Sequence, residues 1–262
     1  MLPEIVAHKH REVAERKELY PAKLLERSIY FESPCVSMTE YLARPDKAGV
    51  IAEIKRRSPS KGVFKHSLSV ELLSIGYMQA GASALSVLTD ASYFGGSNED
   101  ILTARTFNFC PILRKDFTVD EYQVLEAKAL GADAILLIAA VLTPVEVKQL
   151  ATLARSLGMQ SILEVHSELE IETHITPTVE IVGVNNRDLD TFQVEVETSI
   201  RLASRIPDQF CKISESGISE PQTIKRLRNV GYRGFLIGEA FMAASNPQAA
   251  CRRLIHAIGE RA

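Results

Sequence analysis

One joint recurs along the chain and restricts what it can fold into: a helical stretch ends on a glycine and an aliphatic run follows. It occurs at Ala80-Gly81-Ala82, Leu130-Gly131-Ala132, Leu157-Gly158-Met159 and Val230-Gly231-Tyr232. Glycine suits a helix C-terminus that needs a left-handed residue before the chain turns into the next strand. The stretches ahead of these joints, over 70–80, 119–130, 144–157 and 220–230, carry apolar residues at helical spacing. Pro144 and Pro221 fall early in theirs, where a missing N–H costs nothing. Aliphatic and β-branched runs near 49–54, 84–88, 111–115, 134–138, 160–164, 180–184, 211–215 and 234–238 read as strands. Runs such as Ala134-Ile135-Leu136-Leu137-Ile138 are apolar at successive positions, as in a parallel sheet covered on both faces.

Eight strand–helix units in 262 residues predict an α/β fold, a (β/α)8 TIM barrel. An open doubly wound sheet is the alternative, but no GxGxxG follows the first strand. Residues 1–47 precede the barrel with two helical patterns, over 4–19 and 21–30, too short for a separate domain. The expectation is one barrel domain over 1–262, with 1–47 as an N-terminal helical extension that serves as a lid or plug across the barrel mouth.

The chemistry is anticipated by the first strand. It runs Val50-Ile51-Ala52-Glu53-Ile54-Lys55 and breaks into the basic loop Arg56-Arg57-Ser58-Pro59-Ser60-Lys61-Gly62. Residues two apart in a strand share a face, so Glu53 and Lys55 sit side by side, with Ala52 and Ile54 facing the other way. Opposite charges on a buried strand are costly unless paired or used, and such charges tend to mark sites. In this fold the working groups come from the C-terminal ends of the strands. Those ends read Arg114-Lys115-Asp116-Phe117, Leu163-Glu164-Val165, Asn185-Asn186-Arg187-Asp188 and Ser214-Glu215-Ser216-Gly217. Alternation places Lys55, Lys115 and Arg187 against Glu53, Glu164 and Glu215, three cations balancing three anions. Arg114 and Asp116 have the opposite parity and are expected to pair among the outer helices. His66, His166 and His174 read as surface or loop residues, with His166 set apart because it shares the parity of Glu164.

Two further loops look suited to phosphate. Ser216-Gly217-Ile218-Ser219 precedes one helical stretch and Gly238-Glu239-Ala240 opens another. Helix N-termini present free N–H groups to anions, and the loops after strands seven and eight are the habitual phosphate site of this fold. The Glu239 carboxylate would repel phosphate, so its side chain is expected to turn away while the backbone binds.

Composition excludes several classes. With 46% hydrophobic and 24% charged residues and a net charge of -3, the chain has no electrostatic footprint for nucleic acid or a membrane surface. No run approaches the roughly 18 apolar residues that span a bilayer. The start, with His8, Lys9, His10, Arg11 and Glu12, lacks the apolar core of a secretory signal. Cys35, Cys110, Cys211 and Cys251 have neither metal-ligand nor CxxC spacing, so a reduced cytoplasmic enzyme acting on a small molecule, with no metal, is expected.

Taken in order, the segments AEIKRRSPSKG, VLTDASYFGG, PILRKDF, ILEVH, VGVNNRDL, SESGI and LIGEAFM resemble the indole-3-glycerol-phosphate synthases, over essentially the whole chain. The resemblance implies closure of 1-(2-carboxyphenylamino)-1-deoxyribulose 5-phosphate to indole-3-glycerol phosphate, with loss of carbon dioxide and water, by an enzyme without the fused isomerase of some relatives. The anilino nitrogen supplies the electron push, so no cofactor is needed. Lys115 then resembles the general acid at the ketone and Glu164 its acid/base partner. Lys55, oriented by Glu53, resembles the contact to the substrate carboxylate and a second acid. Asn185 and Arg187 resemble groups that hold the sugar hydroxyls and order the charges, and Ser58 belongs to the substrate-binding first loop. Ser216, Gly217, Gly238 and Glu239 mark the phosphate pocket, and Pro59, Phe94 and Phe117 wall the aromatic ring. A Schiff-base aldolase using Lys115 or Lys55 and a catalytically silent sugar-phosphate-binding barrel are the competing readings. Phosphoribosylanthranilate isomerase shares the fold, but no cysteine ends strand one.

Overall fold

Parallel pairing runs unbroken around a ring of eight strands in the computed structural model, which describes residues 1–65, 67–189 and 191–259. The strands are β1 Val50–Ile54, β2 Ala84–Leu88, β3 Ile112–Lys115, β4 Ala134–Ile138, β5 Gln160–Val165, β6 Ile181–Asn185, β7 Cys211–Glu215 and β8 Gly234–Ile237. Each pairs with its sequence neighbours, and β1 closes the ring by pairing with both β2 and β8.

The two-residue alternation separates two cores. Ile51, Leu113, Leu136, Ile162, Ile213 and Leu236 pack together inside the barrel. Ala52, Ile54, Leu85, Leu137, Leu163, Val182 and Ile237 face the helices, in the larger outer core. Residues of one strand thus divide by parity, as the pleat requires. Register then sets the charged ends at matching heights: Ile138 pairs with Glu164, and Glu215 with both Asn185 and Leu236.

The expected helices are present as Val70–Gln79, Glu121–Ala129, Pro144–Ser156 and Pro221–Asn229. Gly81, Gly131, Gly158 and Gly231 all have positive φ, between 77° and 99°, which is why the recurring joint needs glycine. Thr143 and Glu146 form a reciprocal capping box ahead of Pro144.

The extension departs from expectation. Helix Leu2–Leu19 matches the first pattern, but the 21–30 stretch yields only Ala22–Leu25, which buries no side chain to sustain a longer helix. A helix the sequence reading lacked, Met38–Ala43, is capped by Ser37 and buries Met38 and Leu42 in the inner barrel core. The side chain of Gln160, at the start of β5, accepts hydrogen bonds from Met38 N at 2.7 Å and Thr39 N at 3.1 Å. The extension therefore plugs the bottom of the barrel with one helix, while Met1, Leu2 and Ile5 reach the cavity at its top. Within the first basic loop, Arg57–Ser58 and Gly62–Val63 pair as a short antiparallel hairpin. No helix among the described residues is long and apolar enough to cross a membrane.

Candidate active site

The C-terminal ends of the strands open into a cavity of about 680 Å³, floored by Leu136, Ile138 and Leu236. All the candidate residues line it. From β1 and its loop come Glu53, Lys55, Ser58 and Pro59; Phe94 follows β2, and Lys115 and Phe117 end β3. Glu164 comes from β5, Asn185 and Arg187 from β6, Glu215, Ser216 and Gly217 from β7, and Gly238 and Glu239 from β8.

Lys115 is the hub. Its Nζ lies 2.8 Å from Glu164 Oε2 and 3.0 Å from Glu215 Oε2. Burial works against its charge, but Glu164, Glu215 and Glu53 outweigh it and hold the pKa above the usual lysine value. Two buried carboxylates facing one ammonium cannot both ionise freely. Burial and the Glu164 charge push Glu215 up, and Glu215 Oε1 accepts no hydrogen bond. Burial opposes Glu164 as well, yet Lys115 and His166 hold it below the ordinary carboxylate range. Asn185 Nδ2 adds a hydrogen bond of 3.1 Å to Glu164 Oε1. The shared ammonium therefore favours the charged form of Glu164, while Glu215 is the carboxyl pushed toward its protonated form.

Lys55 forms a separate pair, 2.6 Å from Glu53 Oε1. That pair explains Gly238: a Cβ there would overlap Glu53 Oε1 and lie 2.8 Å from its Cδ. A Gly238→Ala protein is expected to keep its melting temperature and lose roughly 10–100-fold in kcat, because Glu53 and Lys55 are pushed out of line. Steady-state kinetics beside a thermal melt checks this.

The charge balance differs from the expected three against three. Arg187 Nη2 is 3.0 Å from Glu239 Oε2, and Lys61 Nζ is 3.5 Å from its other oxygen. Glu239 therefore does not turn away from the cavity; two cations neutralise it at the rim. Arg56 and Arg57 are engaged as well. Arg56 pairs with Asp100 and donates to Gly95 O at 3.1 Å, while Arg57 Nη2 donates to Ala91 O at 2.8 Å. Both brace the loop after β2.

The turn after β7 is a pair of left-handed residues, Ser216 (φ 69°) and Gly217 (φ 73°), rather than a helix start. The helix begins only at Pro221. A non-glycine residue held there is a strained position of the kind that collects at functional sites. Asn186, which the sequence reading passed over, supports it: its Nδ2 donates to Ser216 O at 3.0 Å and Ser214 Oγ at 3.1 Å. Gly238 caps the four-residue helix Glu239–Met242, as expected for the second loop.

His166 is no surface residue. Its ring is largely buried, with Nε2 3.5 Å from Glu164 and Nδ1 3.5 Å from Glu170. Burial lowers its pKa, but Glu170 and Glu164 outweigh that and raise it. His174 lies apart, on helix Glu168–His174, within 3.0 Å of Leu142 O. His66 lies outside the described residues.

Arg114 pairs with an outer helix as expected, 2.6 Å from Glu126 on Glu121–Ala129. Asp116 lies 3.5 Å from Arg114 Nη2 and also meets the extension, 3.0 Å from Lys9 Nζ. Lys9, fully buried, also lies 3.0 Å from Asp90 Oδ2 and 3.1 Å from Glu12. Burial opposes its charge, but Asp116, Asp90 and Glu12 raise its pKa well above the usual value. No local pattern in the sequence pointed to this cluster, since its members come from three separate elements.

A closed barrel whose mouth holds a lysine between two carboxylates, a second lysine–glutamate pair and a left-handed turn has the architecture of the (β/α)8 enzymes. The family model for indole-3-glycerol phosphate synthase matches residues 2–254. The chain belongs to that family. It is 46% identical over 258 residues to the indole-3-glycerol phosphate synthase of Bacteroides thetaiotaomicron, covering 98% of each chain. It is 41% identical to that of Carboxydothermus hydrogenoformans, over 97% of this chain and 99% of the other. Among solved structures, 3-hexulose-6-phosphate synthase from Salmonella typhimurium matches with a TM-score of 0.62 at 12% identity, over 80% of this chain and 98% of its own. Thiamine phosphate pyrophosphorylase from Pyrococcus furiosus gives 0.60 at 15% identity, over 82% and 96%. At those identities the likeness is one of fold.

Proposed function

We propose that Lys115, Glu164 and Lys55 divide among them the proton transfers of the synthase reaction. That reaction, a step of tryptophan biosynthesis, converts 1-(2-carboxyphenylamino)-1-deoxyribulose 5-phosphate to indole-3-glycerol phosphate, carbon dioxide and water. The carboxylated ring carbon bonds to the ketone carbon, and the ketone oxygen takes a proton from Lys115. The bond to the carboxylate breaks, its electrons restore the aromatic ring, and carbon dioxide leaves. The new hydroxyl then departs as water with a proton from Lys55, while Glu164 removes a proton from the neighbouring methylene carbon. Glu53 orients Lys55. Asn185 and Arg187 hold the sugar hydroxyls, Ser58 closes the first loop on the substrate, and Pro59, Phe94 and Phe117 flank the ring. Ser216, Gly217, Gly238 and Glu239 form the phosphate pocket, Glu239 with its charge already matched. Glu215 keeps Lys115 aimed.

One observation carries this reading: a half-buried Lys115 between Glu164 at 2.8 Å and Glu215 at 3.0 Å, lining a cavity that the Ser216-Gly217 turn also lines. On the same reading, residues 1–47 are an extension of one barrel unit. The enzyme works in the cytoplasm on a small molecule, without nucleic acid or membrane.

The test is ultraviolet detection of indole formation by the purified protein, with carbon dioxide measured alongside. One carbon dioxide per indole is expected; no indole absorbance from the intact substrate overturns the reading. The remote phosphate should help position the ketone, so its contribution belongs in kcat as well as KM. The dephosphorylated substrate is expected to turn over at least ~100-fold more slowly even at saturation. Equal kcat values for the two substrates would remove the pocket from the mechanism.

A further inference from the structure

A fully buried lysine on a short N-terminal extension calls for a reason. Helix Leu2–Leu19 buries only Ile5, Lys9 and Val13, so Lys9 takes a place where an aliphatic side chain would dock the helix without the cost of desolvating a charge. Its partners explain the choice. Asp90 follows β2 and Asp116 follows β3, and each carboxylate shapes the loop that carries one wall of the cavity.

Asp90 Oδ1 accepts hydrogen bonds from Tyr93 N at 2.7 Å and Phe94 N at 3.3 Å, capping helix Ala91–Phe94. Asp90 Oδ2 makes no hydrogen bond, so the Lys9 ammonium 3.0 Å away compensates its buried charge. Asp116 Oδ1 accepts from Phe117 N at 2.8 Å and faces Lys9 at 3.0 Å, while Asp116 Oδ2 takes the Thr89 hydroxyl and lies 3.5 Å from Arg114. Phe94 and Phe117 stand 6.2 Å apart, centroid to centroid, and both line the cavity. Lys9 itself is 0% exposed and touches no ligand space. One turn earlier on the same helix, Ile5 reaches the cavity.

We propose that Lys9 is a positioning residue for the aromatic half of the site: its ammonium ties the loops after β2 and β3 together through Asp90 and Asp116, and so sets the Phe94–Phe117 wall against the substrate ring. The phosphate half, built on β7 and β8, shares none of these contacts. The two halves of the substrate therefore report on Lys9 differently. This rests on the ring-closing reading of the cavity.

The variant is Lys9→Met, of similar length and without charge. Two probes are measured by calorimetry: the substrate with its ketone reduced to the alcohol, which carries ring and phosphate, and inorganic phosphate alone. Affinity for the reduced substrate is expected to fall about tenfold, as for a binding wall displaced by a fraction of an ångström. KM should rise in step, kcat should change less, and phosphate affinity should hold within about twofold. Lys9→Arg, which keeps the charge, should recover part of the lost ring affinity. Where Lys9→Met does not fold, Lys9→Met/Asp90→Asn removes one buried charge of each sign, and the same two affinities decide. Equal losses for both probes, or ring affinity unchanged while only the melting temperature falls, would make Lys9 a plain anchor and overturn the proposal. A parent protein that closes no ring would refute the functional reading instead, and turnover by the parent separates the two failures.

Discussion

A Lys115→Met protein is expected to lose about 10²–10⁴-fold in kcat, the usual worth of a positioned proton donor, while remaining folded. On the proposed reading the ketone oxygen becomes strongly basic as the carbon–carbon bond forms, and Lys115, at the end of β3 between Glu164 and Glu215, is the ammonium that meets it. Folding survives because Glu164 and Glu215, freed of the lysine, can share one proton, while the Asn185 amide still donates to Glu164 at 3.1 Å. Rapid-quench measurement of indole formation, beside circular dichroism of the variant, checks both halves. Near-parental kcat would remove Lys115 from the chemistry.

Glu164→Gln should cost a similar ~10²–10⁴-fold, and for a different reason. Gln keeps the shape and a hydrogen-bond acceptor but cannot take the methylene proton. Product formation should therefore stall after decarboxylation: carbon dioxide is released in a first turnover while indole absorbance lags. The pH profile supplies an independent sign. Glu164 is held below the ordinary carboxylate range, so its ionised form prevails across neutral pH, and activity should be lost only as pH falls through that depressed value. A parental acid limb lying above the usual glutamate pKa, or a variant in which carbon dioxide and indole appear together, would count against the base role.

How much of this was legible in the chain itself depends on the range of each interaction. The side on which Glu53, Lys115, Glu164 and Glu215 face follows from two-residue alternation, a property of one strand, and apolar neighbours such as Leu113, Ile162 and Ile213 do pack inside the barrel beside them. The glycine joints are equally local. Partner choice is not. Arg187 pairs with Glu239 rather than with a strand-end carboxylate, because a loop after β6 meets the end of β8 only once the barrel closes. Parity predicts partners for Asp116 among the outer helices, where Arg114 lies 3.5 Å away, but not Lys9 of the extension, which reaches it because the start of helix Leu2–Leu19 comes to the cavity. His166 shares parity with Glu164, but its burial depends on how Glu170 and the following helix cover it. Helix Met38–Ala43 spans six residues, too few for a periodic signal, and is held by Gln160 and the barrel interior.

On the proposed reading Lys115 acts as a proton donor and not as a nucleophile. Turnover in the presence of sodium borohydride, followed by intact-protein mass spectrometry, tests it most directly, because reduction traps any imine between lysine and the ketone. An unmodified protein mass is expected, with indole formation at the rate allowed by the surviving substrate. A stoichiometric, substrate-sized mass increase mapped to Lys115 or Lys55 would contradict it.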